Sequence, residues 1–211
     1  MRVTKYEHAC LVVEKAGQRL VIDPGSFTTP LFGIDDVVAI VITHEHSDHW
    51  TPEQLERLQE RNPDAQLFGP SGVAAAASDF EITVVGDGDS HAVGPFSLGF
   101  YGTTHAVIHP SIPVVGNVGI MVDDQLFYPG DAFTVPPVPV DTLAVPAGAP
   151  WLKISEVMDY VAAVAPKRSF PTHQMVLSQI GQKLANDRIA HVTEGGGGKF
   201  FPLEPGESLD L

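Results

Sequence analysis

Three things are scarce in this sequence: cysteine, positive charge and long apolar runs. Cys10 is the single cysteine among 211 residues, so no internal disulfide can form, which suits a reducing compartment. Lys and Arg number 12 against 26 Asp and Glu, a formal net charge of −14. Such a surface repels phosphate backbones and no basic run offsets it, so nucleic acid is not an expected partner. The longest apolar runs, such as VVAIVI at 37–42, are far too short to span a bilayer. The opening MRVTKYEHAC lacks the basic-then-apolar pattern of a signal peptide. The expectations are therefore no membrane partner and a cytoplasmic location.

What is present fits a globular protein. An apolar fraction of 44% with 18% charged residues is neither disordered nor fibrous. The length is enough to bury a sizeable core, and no composition break marks a linker, so one domain over residues 1–211 is expected. Nothing in the sequence fixes the oligomeric state, and a homo-oligomer is compatible with it.

The first fifty residues read as strands. ACLVVEKAGQRLVIDPG sets two apolar runs around a short turn at Ala16–Gly17–Gln18, a hairpin signal. VVAIVITH is an unbroken β-branched run, as expected for a strand covered on both faces. A helix should follow: Thr51 is a plausible N-cap, Pro52 suits the first helical position, and Leu55 and Leu58 share a face. QLFG then PSGVAAAAS repeats strand and helix. Residues 81–129 return to strands, with a tight turn near Asp123–Asp124. Strands are read in DTLAVP and RSFPTH, helices at KISEVMDYVAAVAP and over 178–190, and a closing strand at KFFPL. Segment 107–117 reads as a Pro-bearing surface loop, and Gly195–Gly198 as a flexible turn. The fold class is α+β, with two sheets packed together and helices outside.

The chemistry concentrates in THEHSDHW at 43–50, where three of nine histidines and an aspartate fall within six positions. The segment lies between a strand and a helix, on the kind of loop that carries function. Imidazole and carboxylate together suit Zn²⁺, Mn²⁺ or Fe²⁺. One loop rarely completes such a site. GTTH, YPGD and FPTH each end an apolar run, placing His105, Asp131 and His173 where they could converge with His44, His46, Asp48 and His49. Asp23, ending VIDPG, could accept the free ring N–H of a ligand histidine, and Thr43 could do so more weakly. The remaining histidines are less informative. His8 is a candidate to line the cleft, His109 a candidate substrate-contacting or proton-transfer group, and His91 and His191 read as surface residues. Trp50 reads as pocket wall or core, and Cys10 as a small buried hydrophobe.

HEHSDH, GTTH, YPGD and PTH, in that order, resemble the motif series of the metallo-β-lactamase superfamily over about residues 1–203. The resemblance implies a four-layer αββα sandwich with metals at one edge. It implies His44, His46 and His105 as ligands of a first ion, Asp48, His49 and His173 of a second, and Asp131 bridging the two. Zinc is the leading choice, with manganese and iron compatible. A water or hydroxide bridging the metals would attack the substrate. Lowering water's pKa from about 15.7 to about 7 is worth roughly 12 kcal/mol, the gain such a site offers. Asp48, Asp23 and His109 are the expected catalytic residues.

Within the superfamily the hairpin near residue 1 and VPAG at 145–148 resemble the small ascorbate-phosphate lactonase-like hydrolases. The expected function is hydrolysis of an ester, lactone or phosphodiester in a small-molecule substrate. The alternative is a non-catalytic metal-containing binding protein on the same fold, which degraded motifs would favour; none is degraded. β-Lactamases proper usually lack the Asp48–His49 pair or use a cysteine ligand, and Cys10 is misplaced for that. Flavodiiron-type relatives carry an acidic residue at the place of His46 and a flavin domain. RNA-processing relatives carry basic arms absent from this sequence.

Overall fold

The computed structural model describes residues Met1–Leu211. A first sheet is built from β1 (Arg2–Lys5), β2 (Leu11–Lys15), β3 (Gln18–Ile22), β4 (Val37–Val41), β5 (Gln66–Gly69) and β6 (Ile82–Val84), with α1 (Pro52–Arg61) and α2 (Ser71–Ala76) between the later strands. A second comprises β7 (Ser90–Val93), β8 (Phe96–Tyr101), β9 (Gly119–Val122), β10 (Leu126–Tyr128), β11 (Thr142–Pro146), β12 (Arg168–Thr172) and β13 (Lys199–Phe200), with α3 (Ile154–Val164) and α4 (Gln179–Gly195). The chain then returns to the first sheet as β14 (Ser208–Asp210). The strand orders are β14-β1-β2-β3-β4-β5-β6 and β13-β12-β11-β10-β9-β8-β7. In each sheet hairpin-linked strands pair antiparallel, while β3 to β6 and β10 to β13 run parallel.

Side-chain alternation builds the layers. Along β2 and β3, Leu11, Val13, Leu20 and Ile22 face the space between the sheets, joined there by Phe100, Ile120, Tyr128 and Phe170 of the second sheet. The intervening Val12 and Val21 turn outward, and with Ile40 and Ile42 they meet Leu55, Leu58 and Val73 on α1 and α2. On the other side Phe127, Leu143 and Val145 pack on Val157, Val161, Ala185 and Ile189 of α3 and α4. Both faces of each central strand are thus buried, which is why β4 is apolar throughout and β11 apolar after Thr142, rather than alternating. The result is the αββα sandwich. No helix is long and apolar enough to cross a membrane.

Local readings hold in detail. Ala16 and Gly17 both take positive φ, as do Asp123 and Asp124, matching the primed turns that two-residue hairpins favour. Thr51 caps α1 by accepting from the Gln54 amide, with Pro52 in the first turn. Two readings need correction. The helix expected over 178–190 runs on through Gly195, because Thr193 is buried and pairs with Ser169 at 2.7 Å, pinning the last turn to β12. The glycine run therefore ends a helix before it turns, Gly197 having φ +85°. The edge strand β14 was not anticipated: it pairs antiparallel with β1, and Leu211 N donates to Met1 O at 2.7 Å.

Lys5 fastens the C-terminal segment. Its ammonium is buried and donates to the Leu203 carbonyl at 2.7 Å. Burial lowers its pKa from 10.5 to about 8, only partly offset by Glu204 and Glu207. The unfolded chain keeps a proton that the folded chain gives up above about 8, so this group's destabilisation is full below pH 8 and fades as pH rises toward 10.5. The penalty is about 3 kcal/mol. Chemical denaturation from pH 7 to 10 should show stability rising more steeply in the native protein than in Lys5→Met; parallel curves would reject this account.

Candidate metal centre

The site lies where the parallel strands of both sheets end. His44 follows β4 by three residues, Asp23 follows β3 directly, Asp131 follows β10, and His173 follows β12 directly. His105 follows the antiparallel β8. Strand ends on one edge of layered sheets are where groups from distant sequence can meet. Two glycines allow the loops to close. A Cβ on Gly25 would fall 1.8 Å from the Asp48 carbonyl oxygen, and one on Gly130 would press on Asn117 and Thr43. His8, Asp23 and His173 all hold left-handed φ of 47–59°, a strain of about 1–3 kcal/mol each that packing must offset.

At the centre of the scaffold is Asp23, fully buried. It accepts from the Thr43 amide at 2.8 Å, the Thr43 hydroxyl at 2.7 Å and His49 Nδ1 at 2.6 Å. Since the Thr43 hydroxyl donates its hydrogen bond to Asp23, it accepts from His44 Nδ1, 3.1 Å away. His105 Nδ1 donates to the Ala106 carbonyl at 2.5 Å and His173 Nδ1 to the Gly148 carbonyl at 2.7 Å. Four imidazoles thereby have Nδ1 committed to an acceptor, leaving Nε2 to face inward.

The inward atoms lack partners. Nε2 of His49, His105 and His173 and one oxygen of Asp131 are buried without a hydrogen bond. His44 Nε2 is the exception, lying at hydrogen-bond distance, 3.1 Å, from His46 Nδ1. Unpaired buried polar atoms are costly, and convergent lone pairs repel unless a cation lies between them. The donors fall into three groups that could hold a metal ion: His44, His46 and His105; His8, Asp48, His49 and His173; and His44, His49 and Asp131. Asp131 lies between them, with one oxygen 3.3 Å from His49 Nε2 and the other 3.1 Å from His173 and 3.4 Å from His105. The residues fit borderline-soft divalent ions.

Without an ion the cluster balances its own charge. Burial lowers the pKa of His44 and His46, and neighbouring imidazoles lower them further. Burial also opposes charge on His173, but Asp131 and Asp48 outweigh it and raise its pKa to about 9. His49 is held well above its ordinary value, burial being overcome by Asp131 and Asp23. Asp131 and Asp48 are correspondingly lowered despite burial, Asp131 chiefly by His49 and His173, and Asp48 by the adjacent His173 ring and by His8, whose Nε2 lies at hydrogen-bond distance.

All seven sequence-nominated metal residues are brought together, with Asp23 behind them and Thr43 in the supporting role anticipated for it. His109 is not brought in: its ring is exposed and turned to Ser111, 2.7 Å away. His191 is exposed, whereas His91 is half-buried on β7, tilted against Phe68. Trp50 is core, its indole donating to the Glu45 carbonyl. His8 does join, its Nε2 lying 3.1 Å from Asp48 and its ring 3.8 Å from that of His173. Two residues escaped the sequence reading. Trp151 Nε1 donates to Asp131 at 2.9 Å, and Asn117 accepts from the Asp131 amide at 3.0 Å. No local signal marks either, since both act across the fold.

The sequence matches a family described as a beta-lactamase superfamily domain over residues 2–173. Protein Rv0786c of Mycobacterium tuberculosis is 40% identical over 198 residues, covering 92% of this chain and 93% of that protein. Igni18, a metallo hydrolase from the archaeon Ignicoccus hospitalis, superposes with a TM-score of 0.73 at 19% identity, over 99% of this chain and 97% of that one. The metallo-beta-lactamase fold protein YhfI from Bacillus subtilis gives 0.72 at 16% identity, over 99% and 98%. The two structural likenesses establish the fold.

Two outcomes are expected. Asp23→Ala should weaken metal binding by about 10- to 100-fold, measured by chelator competition; unchanged affinity would remove Asp23 from the supporting role. Metal uptake at pH 7 should release protons, because His49 and His173 bind protons tightly in the metal-free site and must lose them to ligate. That release should shrink above about pH 9 as His173 becomes neutral by itself. Calorimetry in buffers of differing ionisation heat reads it directly, and zero release at pH 7 would contradict this charge balance.

Proposed function

From the premise that this chain belongs to the beta-lactamase superfamily of metallo-hydrolases, we propose that it is a dinuclear metal-dependent hydrolase of a small-molecule ester, lactone or phosphodiester. The observation carrying this reading is the set of buried ligand atoms left unpaired while their rings are fixed from behind. His44, His46 and His105 would hold one ion, Asp48, His49 and His173 the other, and Asp131 would face both. Zinc is the favoured metal, with manganese or iron compatible with the same donors. When bound, the ions supply Lewis acidity, activating water near neutral pH and neutralising charge that develops on the attacked group.

The protein's own contribution is positioning. Asp23 fixes the ring of His49 and, through the Thr43 hydroxyl, that of His44. Trp151 and Asn117 hold the Asp131 carboxylate and its backbone from two sides. Asp48 is the acidic member that reaches solvent, its side chain 24% exposed, so it meets an arriving substrate while His8 steadies it from the buried side. His109 lies outside this arrangement as it stands. A non-catalytic binder remains the competing class.

Plasma mass spectrometry of the purified chain, with turnover of bis-nitrophenyl phosphate, nitrophenyl esters and simple lactones, tests the reading. About two ions per chain are expected, with activity falling about a hundredfold or more in Asp131→Ala. Full metal loading with no turnover on any substrate would favour the binder instead.

A further inference from the structure

Lysine and arginine are missing from every loop that builds the metal edge. None occurs between Arg19 and Arg57, between Arg61 and Lys153, or between Arg168 and Lys183. Those gaps contain all seven nominated metal residues, together with Asp23, Trp151 and the 107–117 loop. The charges that do lie on the same loops are acidic, Glu45 and Asp48 beside the histidines and Glu7 next to His8. A substrate whose identity lay in phosphates or carboxylates would find no cation there beyond the metal ions themselves.

Apolar side chains occupy the same loops instead. Phe27, Val107, Val135, Met175 and Val176 are 45–58% exposed. Each is tied to the site by chain or contact. The Phe27 ring packs edge-on against His8 at 4.8 Å. Val107 adjoins Ala106, which accepts from His105 Nδ1 and donates its amide to the Asp131 carbonyl. Met175 and Val176 follow His173 by two and three residues. Val135 follows Phe133, whose ring packs on Trp151, the residue holding Asp131. Beyond the edge, a groove of about 430 Å³ has Gly148 in its wall, the residue whose carbonyl fixes His173. Leu152, Leu177 and Leu184 line it, and Arg188 is its one charged residue. That volume falls in the range of small-molecule sites.

We infer that the substrate is a neutral carboxylic ester or lactone carrying an apolar chain or ring, recognised by this apolar rim, and that phosphodiesters are not its class. The ester half rests on the hydrolase reading above. The apolar half does not, because exposed hydrophobic surface surrounding a polar centre selects ligands by buried area whether or not a bond is then broken.

The test separates the two halves. Calorimetry on the metal-loaded full chain should find octanohydroxamate binding at least about tenfold more tightly than acetohydroxamate, since both chelate alike and differ only in the chain. Val107→Asp and Val135→Asp should abolish that difference while leaving acetohydroxamate affinity unchanged. Among nitrophenyl acyl esters, kcat/KM should rise with chain length and exceed that for bis-nitrophenyl phosphate. Equal affinity of the two hydroxamates, or faster phosphodiester turnover, would overturn the inference. A chain-length preference in binding without turnover would uphold the apolar rim and sink the hydrolase. If Val107→Asp converts a dimer to a monomer and leaves the chain-length preference intact, the patch joins two copies of the chain and the inference fails.

Discussion

Asp23 is a carboxylate with no access to water, and the metal edge is organised around keeping it satisfied. Burying an ionised carboxylate is tolerable only when its lone pairs are taken up, and here an amide, a hydroxyl and an imidazole take them up within 2.8 Å. The first two come from Thr43 and the third from His49, so one buried charge fixes both ends of the histidine-rich loop. Because the Thr43 hydroxyl donates its hydrogen bond to Asp23, it can only accept from His44, and the tautomer of that ring follows. The left-handed backbone of Asp23 is the conformational cost of turning its side chain back under the loop.

The layers explain why such an arrangement can be rigid. Residues on successive positions of β2, β3, β4 and β11 go to opposite cores, so each central strand is clamped between a sheet and a helix pair. Loops leaving these strands start from fixed points, and the candidate ligands lie within a few residues of those points. Contacts between loops, within a sheet and across the two, do the rest. Trp151, placed after β11, reaches Asp131 after β10, and the His173 amide donates to the His8 carbonyl of the first sheet's opening loop at 2.7 Å.

The sequence revealed most of the site because most of it is local. Four candidate ligands sit in one loop, and His105, Asp131 and His173 each end a recognisable apolar run. The hairpins, the Thr51 cap and the two-sheet plan were legible for the same reason, being written in turn residues and side-chain period. What stayed hidden depends on approach between distant segments. Nothing local distinguishes Trp151 from a core aromatic or Asn117 from a loop residue, and only the fold brings them against Asp131. His8 could be weighed but not placed, since its contact with Asp48 depends on how the β1–β2 loop crosses to His173. β14 was invisible because a short acidic segment becomes a strand only when β1 offers it an edge.

That last pairing brings residues 1 and 211 within one hydrogen bond of each other. Joining them and opening the ring at an exposed loop such as 107–117 would leave every strand neighbour in place, since few constraints of packing depend on where a chain begins. The order in which the ligand motifs are read along the gene is thus a matter of ancestry rather than of mechanics. A relative carrying the same motifs in rotated order could assemble the same centre.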